Sequence, residues 1–176
     1  MVQTVELLPD EATDAYIRQQ WQALTRAGLP SAGRNPAPSV RPHVTLAVAT
    51  SIRETAEAAL REHGRAALPI ELHLAGYACF DQTRPGISRF VLVRLVTASV
   101  ELLRLQGAIA RTVGISDAFA PTMAPGRWVP HITLARAVRP SQMSRAVELL
   151  AGSRPPPGHG VRLRRWDGEG KREWSL

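Results

Sequence analysis

Two copies of one octapeptide carry the residues best suited to chemistry. "PHVTLAVA" occupies residues 42–49 and "PHITLARA" occupies residues 130–137, with six of the eight positions identical. Side chains alternate between the faces of a strand, so His43 and Thr45 project together, and the same holds in the second copy. An imidazole and a hydroxyl roughly 6–7 Å apart along a strand can contact two oxygens of one phosphate group. Each octamer therefore predicts a half-buried strand with a phosphate-binding face.

A duplicated unit would bring the second pair, His131 and Thr133, to the opposite side of a groove from His43 and Thr45. Cleavage of a phosphodiester that has an internal leaving group needs a base on one side and an acid on the other. Histidine suits both roles, because its unperturbed pKa is about 6.5. The threonine hydroxyls can donate hydrogen bonds to the non-bridging oxygens, where charge builds up in the transition state. Residue spacing does not assign the two roles to individual histidines.

Two simpler interpretations of the octamers compete with catalysis. A single histidine in a strand is most often a structural residue, but chance does not explain proline, histidine and threonine recurring in register 88 positions apart. A zinc site is the second alternative. It lacks a third ligand at a telling spacing, and neither octamer contains Asp or Glu. We therefore predict a site that requires no metal and no cofactor.

The elements around the octamers repeat in the same order. Each half of the chain follows the order strand, long helix, proline-rich loop, octamer strand, short helix and strand. Further strands are predicted at 2–8, 69–80 and 87–96 and in a hairpin over 161–176, and helices at 9–28, 51–64, 97–114 and 139–152. In the second helix, Ser51 is the predicted N-cap and Gly64 the predicted end. The chain is thus predicted to be a single bilobal domain over 1–176, with lobe-forming halves at 1–84 and 85–176.

The charge of the chain is compatible with a phosphate-bearing partner. There are 22 basic and 15 acidic residues, which gives a net charge of +7. However, 21 of the 22 cations are arginine, a bias that a GC-rich coding genome would also produce. The densest basic segment, 162–166 with Lys171 and Arg172, could follow an RNA backbone or form the exposed face of a last hairpin.

Cysteine usage and hydropathy indicate the compartment. Cys79 is the single cysteine, so no internal disulfide can form, as expected in a reducing cytosol. The first residues lack the basic segment and apolar run of a signal peptide. No apolar stretch approaches the roughly 20 residues of a membrane helix. The sequence therefore predicts a soluble cytoplasmic protein without membrane contact, and it leaves the oligomeric state open.

The motifs "HVTL" at 43–46 and "HITL" at 131–134 resemble those of the 2H phosphoesterase superfamily, which has two H-x-T-hydrophobic motifs in a duplicated fold. Within it, the chain is similar to the bacterial group named for 2′-5′ RNA ligase, which includes RNA 2′,3′-cyclic phosphodiesterases. The resemblance covers nearly the whole chain. It implies an α+β, duplicated bilobal fold, with two antiparallel sheets each backed by helices and a pseudo-two-fold groove between the lobes.

The resemblance also implies roles for the four motif residues. His43 and His131 would be the general acid and base, in an order that the resemblance leaves open, and Thr45 and Thr133 would hold the phosphate. The implied substrate is an RNA end or a nucleotide with a 2′,3′-cyclic phosphate. The direction of ring opening, to a 2′- or a 3′-phosphate, stays open.

Additional substrate-binding residues are predicted from their positions alone. Arg41 and Arg127 precede the histidines at even offsets, so both would face the groove if their strands extend that far. A solvated arginine at the start of a strand is the simpler interpretation of each. Tyr77 and Phe80 could stack on a nucleobase or belong to the core. Arg136 lies at an odd offset and is expected to face away from the groove unless the strand is bulged.

Three functions are consistent with these residues. The first is hydrolysis of 2′,3′-cyclic phosphates by two-histidine acid–base catalysis, with the reverse 2′-5′ ligation possible by microscopic reversibility. The second is cleavage of 2′-5′ or cyclic oligonucleotides by the same groups. The third is a binding module for RNA or a nucleotide without turnover. Intact His-Thr pairs in both halves favour an enzyme, because a binder needs neither an acid nor a base.

Overall fold

The strands and helices alternate largely as the repeat predicts. The computed structural model describes residues 2–176. Its strands are β1 (Gln3–Pro9), β2 (Val44–Ala49), β3 (Ile70–Leu72), β4 (Leu74–Asp81), β5 (Phe90–Val96), β6 (His131–Val138), β7 (Gly158–Asp167) and β8 (Arg172–Ser175). Its α-helices are α1 (Glu11–Arg26), α2 (Glu57–Ala67), α3 (Val100–Val113), α4 (Ala120–Met123) and α5 (Pro140–Leu150). Within residues 2–176, no helix is both long and apolar enough to cross a membrane.

All the strands belong to one antiparallel arrangement with a weak seam in its centre. The order is β3-β7-β1-β2-β6-β5-β4, and β8 pairs with β7 outside this path. The two octamer strands, β2 and β6, are neighbours at the centre and pair only at Val44 and Ile132. On either side of this seam lies an antiparallel sheet that packs against helices. The α+β fold that the family resemblance implies is confirmed.

The two sheets are not the two halves of the sequence. Strand β4 lies in the first half of the chain but pairs with β5 across the short connection at 82–89. Strand β7 lies in the second half but pairs with β1. The division into 1–84 and 85–176 therefore does not coincide with the seam. The physical reason is that β4 and β5 form a hairpin, while the last long strand returns to the first.

Helix α2 differs from its prediction at both ends. It begins at Glu57, after a short 3₁₀ turn at Glu54–Ala56, so Ser51 is not its N-cap. It also continues through Gly64 to Ala67. Gly64 faces strand β7 closely, since a Cβ at this position would lie 3.2 Å from the Leu163 side chain. The glycine thus serves close helix–sheet packing rather than termination of the helix.

The apolar residues of the octamers form the centre of the core. Val44, Leu46, Ile132 and Leu134 are all fully buried. They belong to one continuous apolar cluster that includes residues of α1, α2, α3 and α5. Burial of these side chains orients both strands, because the opposite face then has to carry the polar residues of each motif.

Each octamer strand contains a bulge at the same position of its motif. The pairing of β2 with β1 skips Leu46, and the pairing of β6 with β5 skips Leu134. Each of these leucines and the alanine that follows it are fully buried. An extra residue shifts the alternation of faces by one. Residues after the bulge therefore lie on the opposite face from the one that simple alternation predicts.

Candidate active site

The two motif histidines have matching ring positions at the central seam. His43 immediately precedes β2, and His131 is the first residue of β6. In each ring Nδ1 lies 2.7 Å from the carbonyl oxygen two residues upstream, that of Arg41 for His43 and that of Val129 for His131. A carbonyl accepts a hydrogen bond, so Nδ1 carries the proton in the neutral rings. Each Nε2 is therefore available to exchange a proton with a ligand.

The motif threonines are anchored through their backbone by two tryptophans. The Trp21 indole Nε1 donates to the Thr133 carbonyl oxygen at 3.0 Å, and the Trp128 indole donates to the Thr45 carbonyl oxygen at the same distance. Both threonine side chains are half-buried. Each tryptophan thus fixes the strand backbone between a histidine and the following bulge. These two paired contacts were not predicted from the sequence.

A cavity of about 430 Å³ opens beside the seam. Its lining includes His43 from one octamer and Thr133 from the other. One wall is the loop that contains the 3₁₀ turn Ala32–Arg34, and Trp166 of β7 lies in its lining. The cavity therefore joins the two motifs to a larger concave surface that could hold a ligand beyond a single phosphate.

A buried ion pair, Glu6 with Arg164, contributes to the lining of this cavity next to His43. The Arg164 Nε donates to Glu6 Oε2 at 2.7 Å, and both side chains are almost fully buried. The other carboxylate oxygen, Glu6 Oε1, accepts from the Thr4 hydroxyl at 2.7 Å and lies 3.6 Å from His43 Nε2. Burial raises the pKa of Glu6, but the charges of His43 and Arg164 and the hydrogen bonds to the carboxylate hold it below its ordinary value. Glu6 is therefore an anion beside His43.

Sequence reasoning missed both members of this pair. Glu6 interrupts the apolar strand "VELL", and an acidic residue at such a position was the available signal. The sequence places Arg164 only in the basic segment at 162–166, predicted either to follow an RNA backbone or to form the exposed face of a hairpin. The structure corrects that assignment, because Arg164 and Arg165 are buried and engaged with carboxylates. Neither guanidinium is exposed to follow an RNA backbone.

The surroundings of His131 are less polar than those of His43. The Phe80 ring packs edge-on against the His131 ring, with the centroids 4.8 Å apart. Burial lowers the pKa of His131 below 6.5, the hydrogen bond to Val129 opposes this, and the charges of Arg136 and His43 lower it further. His131 is therefore held in the neutral form near neutral pH, the state that a proton acceptor needs.

Arg136 lies in the cavity lining, contrary to simple alternation along its strand. The bulge at Leu134 shifts the phase of β6, so the side chain joins the face of Thr133. Within residues 2–176 its guanidinium makes no ion pair within 4.0 Å, so its charge is not neutralised by a nearby carboxylate. From the sequence, Arg136 is expected to face away from the groove unless its strand is bulged, and the structure shows that bulge.

The four secondary site predictions divide into two groups. Arg41 lines the cavity, where its guanidinium lies 3.3 Å from Glu173, and Phe80 contacts His131. The structure brings neither Arg127 nor Tyr77 to this cavity. Arg127 is exposed outside its lining. The Tyr77 hydroxyl donates to the Leu150 carbonyl oxygen at 2.9 Å and its ring packs under the buried Arg94 guanidinium, as a structural residue does.

No group of three or more His, Cys, Asp or Glu side chains suited to a metal ion occurs within residues 2–176. Of the four motif residues, His43 and Thr133 line the cavity together with the buried Glu6–Arg164 pair and further arginines, whereas His131 and Thr45 lie outside its lining. These groups can transfer protons and bind an anion.

The chain thus has a sheet with a central seam between β2 and β6, and each of these strands carries one His-Thr motif. The chain belongs to the 2′-5′ RNA ligase superfamily, whose family model matches residues 9–168. Membership in this superfamily supports phosphoesterase activity in general. No curated protein matches the sequence significantly.

Several solved structures share this fold at low sequence identity. TT0787 of Thermus thermophilus is 20% identical, with 100% of this chain and 95% of that chain covered and a TM-score of 0.59. LigT of E. coli in complex with 3′-AMP is 21% identical, covers 99% and 92%, and has a TM-score of 0.52. Usb1 of Kluyveromyces marxianus is 12% identical, covers 99% and 97%, and has a TM-score of 0.56. These likenesses confirm the fold of the chain.

Proposed function

We propose that this protein hydrolyses 2′,3′-cyclic phosphates, at RNA ends or on cyclic nucleotides, by general acid–base catalysis with His43 and His131. The observation that carries the proposal is the matching geometry of the two rings. Each has Nδ1 bound to a backbone carbonyl, which leaves Nε2 as the ring nitrogen that can exchange a proton with a ligand. Two such rings are what an in-line displacement at phosphorus requires, one on the attacking side and one on the leaving side.

The reaction uses the remaining groups as anion ligands. The Thr45 and Thr133 hydroxyls donate hydrogen bonds to the two non-bridging oxygens, where negative charge increases in the transition state. Arg136 supplies an un-neutralised positive charge in the lining of the cavity, which it shares with Thr133. The neutral state of His131 is suited to the deprotonation of water. All of these steps use side chains of this chain alone.

Known ligands of similar folds support a nucleotide substrate. LigT of E. coli has been crystallised with 3′-AMP, and Usb1 of Kluyveromyces marxianus with uridine monophosphate. A nucleoside monophosphate is also the product of opening a nucleoside 2′,3′-cyclic phosphate. A cavity of about 430 Å³ lies within the usual size range of small-molecule sites, roughly 300–1,000 Å³.

The test is turnover of 2′,3′-cyclic AMP and of a short RNA ending in a 2′,3′-cyclic phosphate, in the presence of EDTA. We expect wild-type turnover to survive chelation, and the variants His43→Ala and His131→Ala each to lose about 10²–10⁴-fold in rate. His73→Ala is the matched control, since this exposed histidine pairs with Glu71 away from the site. The product isomer reports the direction of ring opening.

Two results would contradict the proposal. If folded wild-type protein retains labelled RNA but releases no product, it is a binding module, and the retention should weaken with salt. If it cleaves 2′-5′ or cyclic oligonucleotides while leaving both cyclic phosphates intact, the chemistry stands and the substrate class is wrong.

A further inference from the structure

We propose that Trp21 and Trp128 are positioning residues: each indole holds one motif threonine at a fixed separation from the histidine of the opposite octamer. Their effect on catalysis rests on the proposed function. The two indole contacts belong to the free protein and can be measured without substrate.

The first support is the register of the two octamer strands at the seam. Strands β2 and β6 pair antiparallel at a single position, which lies between the histidine and the threonine of each motif. This register sets Thr45 across from His131 and Thr133 across from His43. The lining of the cavity agrees, since it includes His43 and Thr133 together. Each end of the seam therefore combines a histidine from one octamer with a threonine from the other.

Strand pairing alone does not fix the separation within these two pairs. With one paired position, β2 and β6 form no continuous ladder through the motifs. On their outer sides, the pairing of β2 with β1 and of β6 with β5 is interrupted by a bulge directly after each threonine. A bulge locally disrupts the ladder. Another contact has to hold each threonine at its distance from the facing imidazole.

The two indoles bind where the pairing between β2 and β6 stops. The acceptor of each is the carbonyl oxygen of the residue that follows the paired position, Thr45 for Trp128 and Thr133 for Trp21, at 3.0 Å in both cases. Both tryptophans are buried. An indole has a single N–H donor on a rigid ring, so a buried ring that donates fixes the position of its acceptor. The acceptor here is the backbone from which the threonine hydroxyl projects.

Trp128 joins Thr45 to His131 through one short segment. Trp128 lies three residues before His131 in the sequence. Val129, the residue between Trp128 and the motif proline, supplies the carbonyl oxygen that binds His131 Nδ1 at 2.7 Å. The same segment thus holds the ring of His131 and, through the indole, the threonine that faces this ring.

Trp21 joins Thr133 to His43 over a longer path. The Trp21 carbonyl oxygen accepts a hydrogen bond from the Ser31 hydroxyl at 2.8 Å. A Cβ at Gly33 would lie 2.8 Å from the Trp21 Cβ, so the loop packs directly on the tryptophan. This loop forms one wall of the cavity and leads to His43. Trp21 therefore connects Thr133 both to the cavity wall and to the segment that carries the facing histidine.

The first experiment is deuterium exchange of the indole N–H groups in the wild-type protein, followed by NMR. The signals are assigned from their loss in single variants with phenylalanine in place of tryptophan. We expect the indole protons of Trp21 and Trp128 to exchange at least about tenfold more slowly than those of Trp166 and Trp174, which are partly exposed. Equal exchange rates would overturn the proposal, whether or not the protein is active on cyclic phosphates.

The second experiment separates positioning from a purely structural role. In Trp128→Phe, we expect kcat for 2′,3′-cyclic AMP to fall by about 10–10²-fold, while KM changes by less than about twofold, because a misplaced donor weakens transition-state binding. Trp174→Phe is the matched control. Its ring packs against Arg165 and Arg172 at the outer strand β8, so kcat should stay at the wild-type value. A rise in KM with unchanged kcat in Trp128→Phe would overturn the proposal.

A second variant covers the case in which Trp128→Phe does not fold. A tryptophan analogue with sulfur in place of the indole nitrogen keeps the ring and removes only the N–H donor. Placed at position 128, it should give the same fall in kcat. Wild-type kcat in the folded analogue protein would contradict a role for the hydrogen bond.

The third experiment tests whether each tryptophan acts through its own threonine. Trp128→Phe is combined with Thr45→Val and, separately, with Thr133→Val. We expect it to lower kcat by less than about twofold in the Thr45→Val background and by its full factor in the Thr133→Val background, because the indole contacts only Thr45. Trp21→Phe should show the opposite pairing.

The outcomes of these double variants are distinguishable from failure of the proposed function. Equal coupling of each tryptophan to both threonines, or coupling to neither, would overturn the positioning role in an active protein. An inactive wild-type protein would instead reject the proposed function, and the exchange rates of the indole protons would then decide whether the two contacts exist.

Discussion

His43 and His131 occupy matching backbone positions but have different surroundings. Beside His43 lie a buried carboxylate and its arginine partner, and beside His131 lie an aromatic edge and an apolar strand. The matching backbone positions come from the octamers, their bulges and the two indole contacts to the threonine carbonyls. The different surroundings come from β1, β4 and β7, which lie outside the two octamers. Duplication can thus place two equivalent groups, while acid–base chemistry needs them in opposite protonation states.

The largest expected effect concerns the Glu6–Arg164 ion pair and tests whether this pair is shielded from solvent. Glu6→Ala should lower the free energy of unfolding by about 3 kcal/mol, because Arg164 then keeps a buried charge with Glu173 as its remaining carboxylate partner. Glu6→Leu/Arg164→Met should recover most of this loss, since a buried pair can be replaced by apolar packing. Urea unfolding measures both. A loss below about 1 kcal/mol would mean that solvent screens the pair, as at a surface.

The next effect concerns the two motif threonines, which have matching positions on the two sides of the seam. Thr45→Val and Thr133→Val should each lower kcat by about 10²-fold, because each removes one hydrogen-bond donor to the transition-state charge. Steady-state kinetics on the cyclic substrate measures both variants. Thr112→Val, whose hydroxyl contacts His63 outside the site, is the control and should have wild-type activity. A large loss in one threonine variant only would show that a single motif binds the phosphate.

A smaller effect tests the bulge in β6. Arg136→Gln should lower kcat/KM by about tenfold, the lower range for loss of a charge-assisted hydrogen bond. Arg127→Gln removes the same charge from an exposed position outside the cavity and should change kcat/KM by less than about twofold. Equal losses of kcat/KM in the two variants would indicate a general electrostatic attraction between the protein and its substrate. Both losses should then vanish at high salt.

The smallest effect is a pH dependence of stability that comes from His131. Its pKa is lower in the folded protein than the ordinary 6.5, so the unfolded chain binds more protons in the window just below that value. Stability should therefore fall as the pH decreases from about 7.5 to about 5.5. His131→Gln should flatten this decrease, as measured by urea midpoints across the range. An unchanged slope would mean that His131 is as solvated as a histidine in the unfolded chain.

The sequence predicted the elements and motifs well because both depend on local patterns. Alternation of apolar and polar residues in the octamers indicated which face is buried, and Val44 and Ile132 are indeed fully buried. The prediction failed where packing partners are distant. Gly64 looked like a helix end but faces Leu163, and Arg164 looked like surface charge but pairs with Glu6, 158 positions away.

The sequence by itself determined that two His-Thr pairs lie on half-buried strands of a duplicated α+β unit, since side-chain periodicity and repetition are properties of the chain alone. The tertiary structure decided what surrounds each pair. Strand pairing placed Glu6 beside His43 and Val93 in the equivalent position near Thr133, and the bulge at Leu134 turned Arg136 into the cavity. Such differences depend on register between strands far apart in sequence, and a one-residue change in register exchanges the faces of a strand.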